Sequence, residues 1–379
     1  MTTTACTSMA TERPGPAEPD LAFHGDQELA GGLVDLAVNV RPGTPPPWLR
    51  AVIRDATDDI AAYPDPAAAT GAVARRHGHP PSEVLVTAGG AEAFTLIARA
   101  FRPRHAVVVH PQFTEPEAAL RAAGHDVERV ILGPGFELDP GKVSRNADLV
   151  VLGNPTNPTS VLHPGSVIRA LARPGRTLVV DEAFADCVPG EPESLAAARG
   201  VPGLIVVRSL TKSWGLAGLR AGYLLASAAD VRALARPRPP WPVSGPALAA
   251  VEACCTPRAT AEAAAWAAAM GGERDRWAAQ LAGLPGIAVT PHARASFILL
   301  EISAPSLPAP AGAGHGPGSA ATPGIRERLR QAGFAVRRGD TFPGLGPSWV
   351  RVAVRDRPTN ERFAAALAAV LGAIPEEVP

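Results

Sequence analysis

From about residue 50 to residue 235 the chain repeats one rhythm: a short apolar run rich in β-branched residues, then a stretch with helical spacing. EVLVTAG leads into AEAFTLIARAF, HAVVVHP into EPEAALRAAG, and ADLVVLGNP into a helix near 164–172; TLVVDEAF and GLIVVRSLTK continue the series. Runs that are apolar on both phases suit strands buried on both faces, and the helices between them supply crossovers. The pattern therefore predicts an α/β domain with a mainly parallel sheet between helices. Ahead of it, residues 33–40 alternate before the breaker run RPGTPPP and predict an arm or short strand. WLRAVIRDATDDIAA at 48–62 has helical spacing, ended by the prolines of YPDP at 63–66. PRPPWPVSGP at 237–246 interrupts the rhythm. Beyond it come a long Ala-rich helical stretch to about 282, apolar runs at 296–302, 334–339 and 349–354, and a closing helix, which predict a smaller α+β domain. The expected division is a disordered, Pro-bearing N-terminus over 1–20, an arm over 21–49, a large domain over 50–240 and a small C-terminal domain over 241–379, with a low-complexity insertion at 303–324.

Composition narrows the chemistry. A chain of 379 residues is long enough for two packed domains. Lys+Arg and Asp+Glu each total 36, so a formal charge of zero gives no bulk attraction for nucleic acid or an anionic membrane. Any ligand must be held by a local site. The first twenty residues lack a basic start followed by an apolar stretch, and no apolar run approaches the roughly 20 residues of a membrane span, so a cytoplasmic location is expected. Cys6, Cys187, Cys254 and Cys255 show no C-x-x-C spacing and read as reduced, non-catalytic thiols; no metal site is expected. Lysine occurs only at 142 and 212, in a chain that otherwise uses arginine. An amine can lose its proton and condense with a carbonyl, which a guanidinium cannot. Lys142, in DPGKVSRN, reads as a solvated loop residue. Lys212 has different neighbours.

Ser209-Leu-Thr-Lys-Ser-Trp-Gly-Leu-Ala-Gly-Leu-Arg-Ala-Gly222 follows an apolar run and combines the lysine with hydroxyls and an arginine. Asp181, in VVDEAFAD, stands where a buried carboxylate is costly; in isolation it reads as a cap for the next helix. Asn154-Pro-Thr-Asn-Pro158 in isolation is a turn, and Thr87-Ala-Gly-Gly-Ala-Glu92 opens a helix whose N–H groups suit a phosphate. In this order the motifs resemble the class I aminotransferase family of pyridoxal-phosphate (PLP) enzymes, fold type I, from about residue 24 to the C-terminus. The resemblance implies that Lys212 carries the cofactor as a Schiff base. It implies that Ser209, Thr211 and Arg220, with Gly90 and Ala91, hold the cofactor phosphate, and that Asp181 keeps the pyridine nitrogen protonated. Asn157 is implied as donor to the phenolic oxygen and Phe113 as the ring stacked on the cofactor, a plain core Phe being the competing reading. The family commonly has a tyrosine three residues after the aspartate; here Phe184 removes that hydrogen bond. Glu182 and Asp186 read as structural.

Finer features point to one branch. The tyrosine of Y-P-D-P, Tyr63, implies a homodimer in which it reaches the partner's cofactor phosphate. Arg351, a charge inside the apolar run WVRVAV, resembles the arginine that grips the substrate α-carboxylate. His24-Gly25, DLAVNVRPGTPP, YPDP and the Phe of DEAF resemble the threonine-phosphate decarboxylase group of cobalamin biosynthesis, close to histidinol-phosphate aminotransferase. That group reads H-G-G where this chain has His24-Gly25-Asp26. Arg337 and Arg338 are then expected either to bind a substrate phosphate or to form a solvated strand edge. The expected activity is chemistry at the α-carbon of a small amino acid, phosphorylated or not, by transamination or decarboxylation; the same residues support both. A non-catalytic PLP domain of a transcription regulator would need a basic winged-helix module ahead of residue 50, and nothing there is long or basic enough.

Overall fold

The computed structural model describes residues 18–303 and 324–372. The expectations for the N-terminus and the low-complexity insertion therefore fall, over 1–17 and 304–323, outside the described residues. After a short arm strand, β1 (Val34–Asp35), the apolar runs become seven strands: β2 (Val84–Thr87), β3 (Ala106–His110), β4 (Val127–Ile131), β5 (Leu149–Gly153), β6 (Thr177–Asp181), β7 (Leu204–Ser209) and β8 (Gly222–Leu225). They form one sheet in the order β2-β8-β7-β6-β5-β3-β4. Pairing is parallel from β4 to β7, and β8 runs antiparallel to both its neighbours. The segment after Ser209 returns directly into β8 without a crossover helix, and only an antiparallel pair allows so short a connection.

Successive residues feed opposite faces. Val107, Val150, Leu178 and Val206 join one apolar cluster, while Val108, Val151, Val179 and Ile205 join another. Both faces are thus buried, as continuous apolar runs require. Two strands were invisible to that criterion: β4 (VERVI) is an edge strand with exposed polar positions, and β8 is a four-residue strand that starts on the last residue of the lysine motif.

The helices on these faces are α1 (Pro47–Asp55), α2 (Ala67–His77), α3 (Gly89–Ala100), α4 (Glu115–Ala122), α5 (Gly165–Arg169), α6 (Ala228–Ala235) and α7 (Gly245–Cys254). The expected helix at 48–62 stops at Asp55, and turns complete the segment. The Ala-rich stretch divides: α7 packs against α1 and α2, so the large unit takes up helix beyond residue 240. Thr256 then opens α8 (Pro257–Ala282), its hydroxyl accepting from Ala259 N–H at 3.3 Å with Pro257 in the first turn.

The smaller unit is a four-stranded antiparallel sheet, and its described strands are β9 (Ile287–Val289), β10 (Phe297–Ile302), β12 (Arg337–Arg338) and β13 (Trp349–Ala353), in the order β12-β13-β10-β9. Helices α8, α9 (Ile325–Gln331) and α10 (Arg357–Leu371) accompany it around a cluster containing Trp277, Phe297 and Phe363. FAVRRG, expected as one strand, splits at Val336: its first half, β11 (Phe334–Ala335), pairs in parallel with β1, and its second half is β12. This split ties the arm to the small unit and aims β12 at the site. The fold is thus the expected α/β arrangement with a smaller α+β unit. Among the described residues no helix is long and apolar enough to cross a membrane.

Candidate active site

Four segments that leave the large sheet at its carboxyl edge converge there: Ala88 to Ala91 after β2, Asn154 to Pro158 after β5, Asp181 at the end of β6, and Ser209 to Lys212 at the end of β7. Such edges are where open α/β sheets bind ligands. The arm and the small unit close the other side. The result is a cavity of about 450 Å³ that brings Lys212, Asp181, Asn157, Ser209, Thr211 and Arg220 to one surface. Gly90, Ala91, Phe113, Arg337 and Arg351 complete the predicted residues that line it.

Burial sets the protonation of the two central groups. Lys212 has its amine pulled down to about 8, first by burial and then by the guanidinium charges of Arg351 and Arg220. At neutral pH a usable fraction is therefore the neutral nucleophile. Asp181 is pushed up to about 6, mainly by burial, although Ala183 N–H donates to it at 3.0 Å and Lys212 opposes the rise. A carboxyl so placed needs a cationic hydrogen-bond donor to remain an anion, and a protonated pyridine nitrogen is such a donor.

A phosphate is equally well provided for. Ser209 Oγ and Thr211 Oγ1 lie 2.8 Å apart, beside the N-terminus of α3. Arg220 adopts φ +60°, a left-handed conformation that non-glycine residues hold only when the surroundings impose it. Its head packs so closely over Gly89, itself at φ +76°, that a Cβ there would lie 2.9 Å from Arg220 Nη2. Gly222 answers the same crowding from β8, where a Cβ would meet Arg208 O at 2.8 Å. The residues present thus fit pyridoxal phosphate: an amine for its aldehyde, an acid for its nitrogen and a donor cup for its phosphate.

Asn154 proves structural, exchanging hydrogen bonds with the His163 backbone at 3.1 and 2.7 Å. Asn157 instead accepts from Arg351 Nη1 through its carbonyl oxygen, which leaves its amide N–H group for a ligand. Phe184 is buried under the Lys212 amine, 6.0 Å from ring centre to Nζ, and stacks edge-on with Phe297. No phenol is available there.

The small unit contributes two arginines. Arg337 and Arg351 are direct cross-strand partners in β12 and β13, both nearly fully buried, an arrangement that places like charges side by side. Arg337 donates only to the carbonyls of Arg338 and Phe23 and is sandwiched between the rings of Phe23 and Phe342. Arg351 donates to Asn157 and to Ala37 O, and its Nε has no partner. Neither forms an ion pair among the described residues. Gly25 permits this approach, since a Cβ there would collide with Ala37 O at 2.5 Å.

Two predicted residues are not brought to the cavity. Arg338 is paired with Asp340, because strand alternation turns it away as it turns Arg337 inward. Tyr63 is 77% exposed outside the cavity and stacks at 4.1 Å on the exposed Trp241. Sequence reasoning also missed residues of the arm. Asn39 lines the cavity, is 4% exposed, and leaves both side-chain amide atoms without a partner. His24 joins Glu115 at 2.6 Å at the same wall, next to Asp26. The available signal was an asparagine standing between valines in the arm's apolar run.

A lysine, a buried aspartate and a phosphate cup at the carboxyl edge of a mainly parallel sheet define a fold type I PLP enzyme. The chain belongs to the aminotransferase class I and II family, whose model matches residues 32–367. A protein of Mycobacterium bovis named histidinol-phosphate aminotransferase is 47% identical over 337 residues, covering 88% of this chain and 86% of the relative. Threonine-phosphate decarboxylase of Salmonella typhimurium is 31% identical, covering 90% and 92%. The crystal structure of L-threonine-O-3-phosphate decarboxylase from Porphyromonas gingivalis superposes with TM-score 0.77 at 26% identity, covering 90% of this chain and 100% of that one. The chain is thus a PLP-dependent enzyme of the aminotransferase or phosphorylated-amino-acid decarboxylase kind, as the motif order implied.

Proposed function

We propose that the chain acts on a small α-amino acid bearing a second anionic group, of which threonine phosphate is the type, and removes its carboxylate as CO₂. The observation that carries this reading is the facing pair Arg337 and Arg351, two buried guanidiniums that form no ion pair among the described residues. A substrate with an α-carboxylate and a phosphate supplies two anions a few bonds apart, one for each. Histidinol phosphate has no carboxylate and would leave one cation unmatched. The name of the relative from Salmonella typhimurium supports the same choice.

In this reading Arg351 binds the α-carboxylate and Arg337 the distal phosphate. Asn39 and the His24–Glu115 pair offer further polar contacts. Lys212 would hold the cofactor through its amine, and that amine, when free, would be the acid/base at the α-carbon, giving a proton there in place of the departed CO₂. Asp181 holds the pyridine nitrogen protonated, Asn157 donates to the phenolic oxygen, and Phe113 covers the ring. Ser209, Thr211, Arg220, Gly90 and Ala91 hold the phosphate. The bound cofactor supplies the electron sink for the pair left at the α-carbon.

The 47% identical relative favours a second reading, transamination of histidinol phosphate. Incubation of the protein with threonine phosphate should release CO₂ and aminopropanol phosphate; no release, together with amino transfer from histidinol phosphate to 2-oxoglutarate, reverses the choice. The reading includes a homodimer in which the exposed Tyr63 serves the partner's phosphate cup, a cytoplasmic location, and a division into large and small domains that falls after α7 rather than at residue 240.

A further inference from the structure

Behind the cavity, on the opposite side of the strand ends, lies a buried cluster of five charged side chains that the reaction does not touch. Arg208, 2% exposed, occupies the position before Ser209 on β7 and shares the face of Val206 rather than that of the cavity. It donates to Glu182 at 3.1 Å, to Glu191 at 2.5 Å and to Asp186. Arg76, near the end of α2, donates to Asp186 at 2.8 Å and to Glu191 at 3.2 Å. Glu182, the residue after Asp181, is 1% exposed and also accepts from Ser194 Oγ and Leu195 N–H, each at 2.6 Å. Its own N–H extends the β6–β7 ladder to Val207 O at 2.8 Å.

Such a cluster is a poor way to gain stability. Removing charges from water costs several kcal/mol per ion, and apolar replacements of similar volume are often neutral or stabilising. The neighbouring strand β5 reaches the same edge with LVVLG alone. What ions add over valines is direction, because a guanidinium fork accepts carboxylates only at set positions.

We propose that Glu182, Arg208, Asp186, Glu191 and Arg76 are positioning residues that lock the ends of β6 and β7 in register, so that Asp181 and the Ser209–Lys212 segment meet one cofactor at fixed separation. Glu182 and Arg208 are each covalently next to a cofactor group, and their bond spans the two strands. Arg76 anchors the cluster to α2, and Asp186 and Glu191 anchor it to the segment that follows β6. The inference rests on the assignment of Asp181 and Lys212 to PLP.

The test uses Glu182→Gln, which keeps shape and removes charge. Three quantities are read: the PLP dissociation constant of the apo-protein by equilibrium dialysis, the pH midpoint of the bound cofactor's long-wavelength absorbance, and the thermal unfolding temperature. Glu273→Gln is the comparison, because Glu273 holds Arg276 and Asn360 in an ionic group of the small unit away from the cavity. Positioning predicts that Glu182→Gln weakens PLP binding ~10-fold and moves the absorbance midpoint at a temperature where the protein is folded, while Glu273→Gln changes neither. Glu182→Gln that lowers only the unfolding temperature overturns the proposal. If that variant does not fold, Glu191→Gln, at the more exposed margin of the cluster, is judged by the same two readouts. Wild type that fails to bind PLP at Lys212 would instead remove the underlying assignment.

Discussion

Lys212 owes its chemistry first to burial, which desolvates its amine, and then to the guanidiniums of Arg351 and Arg220, which repel its proton. A lysine lowered to about 8 is captured by an aldehyde at a rate that follows the neutral fraction. Capture of PLP by apo-protein should therefore rise with pH and level off above about 8. The sign for a variant follows: Arg351→Leu removes one of the charges that depress the amine, so the midpoint must move up, toward the ordinary lysine value. Stopped-flow absorbance across the pH range checks it, and a midpoint that stays or falls contradicts the electrostatic account. Arg351→Leu should also weaken an α-carboxylate substrate by about 2 kcal/mol or more, since a buried charge-assisted bond is lost.

At the scale of elements, the site depends on where strands end. The small unit carries the two arginines on β12 and β13, and α8 supports the sheet behind them with Trp277, which is fully buried against Phe363. Trp277→Ala should cost about 3–5 kcal/mol, and Thr256→Ala, which removes the cap of α8, about 1 kcal/mol; chemical denaturation measures both. The large-sheet side of the cavity was legible in the sequence because its residues lie within a few positions of the ends of buried strands, so apolar runs and motifs coincide. Asp181, Asn157 and Lys212 are read directly that way. The substrate side was less legible. Asn39 and Asp26 reach the cavity through an arm whose position is set by the parallel pairing of β1 with β11, about 300 residues along the chain, and no local pattern encodes that. Arg337 and Arg338 looked alike in sequence, and only the register with β13 separates the one that lines the cavity from the one paired with Asp340. β8 escaped notice because it is only four residues long and begins on the last residue of a chemically rich motif.

Among the described residues Leu29, Ile60, Tyr63, Ile131 and Trp241 are large exposed apolar side chains, and of these Tyr63 and Trp241 stack on each other. An exposed aromatic pair beside a formal charge of zero suits a second copy of the chain. The shared-site homodimer predicts complementation. In that proposed arrangement Lys212→Ala would lack the reactive amine and Tyr63→Ala the contact to the partner's phosphate. Mixed and refolded together, they should form a heterodimer with one intact site, and activity should exceed the sum of the two alone. No gain, with mixed dimers present, argues that each site is built from one chain.

Because the chain has only two lysines, its central claim can be read at one residue. Borohydride reduction of the PLP-loaded protein makes the lysine–cofactor bond permanent, and peptide mass spectrometry then locates it. The account predicts modification at Lys212 alone, with the exposed Lys142 untouched and the long-wavelength absorbance absent from Lys212→Ala. Cofactor recovered on Lys142, or a protein that takes up no PLP, would contradict it.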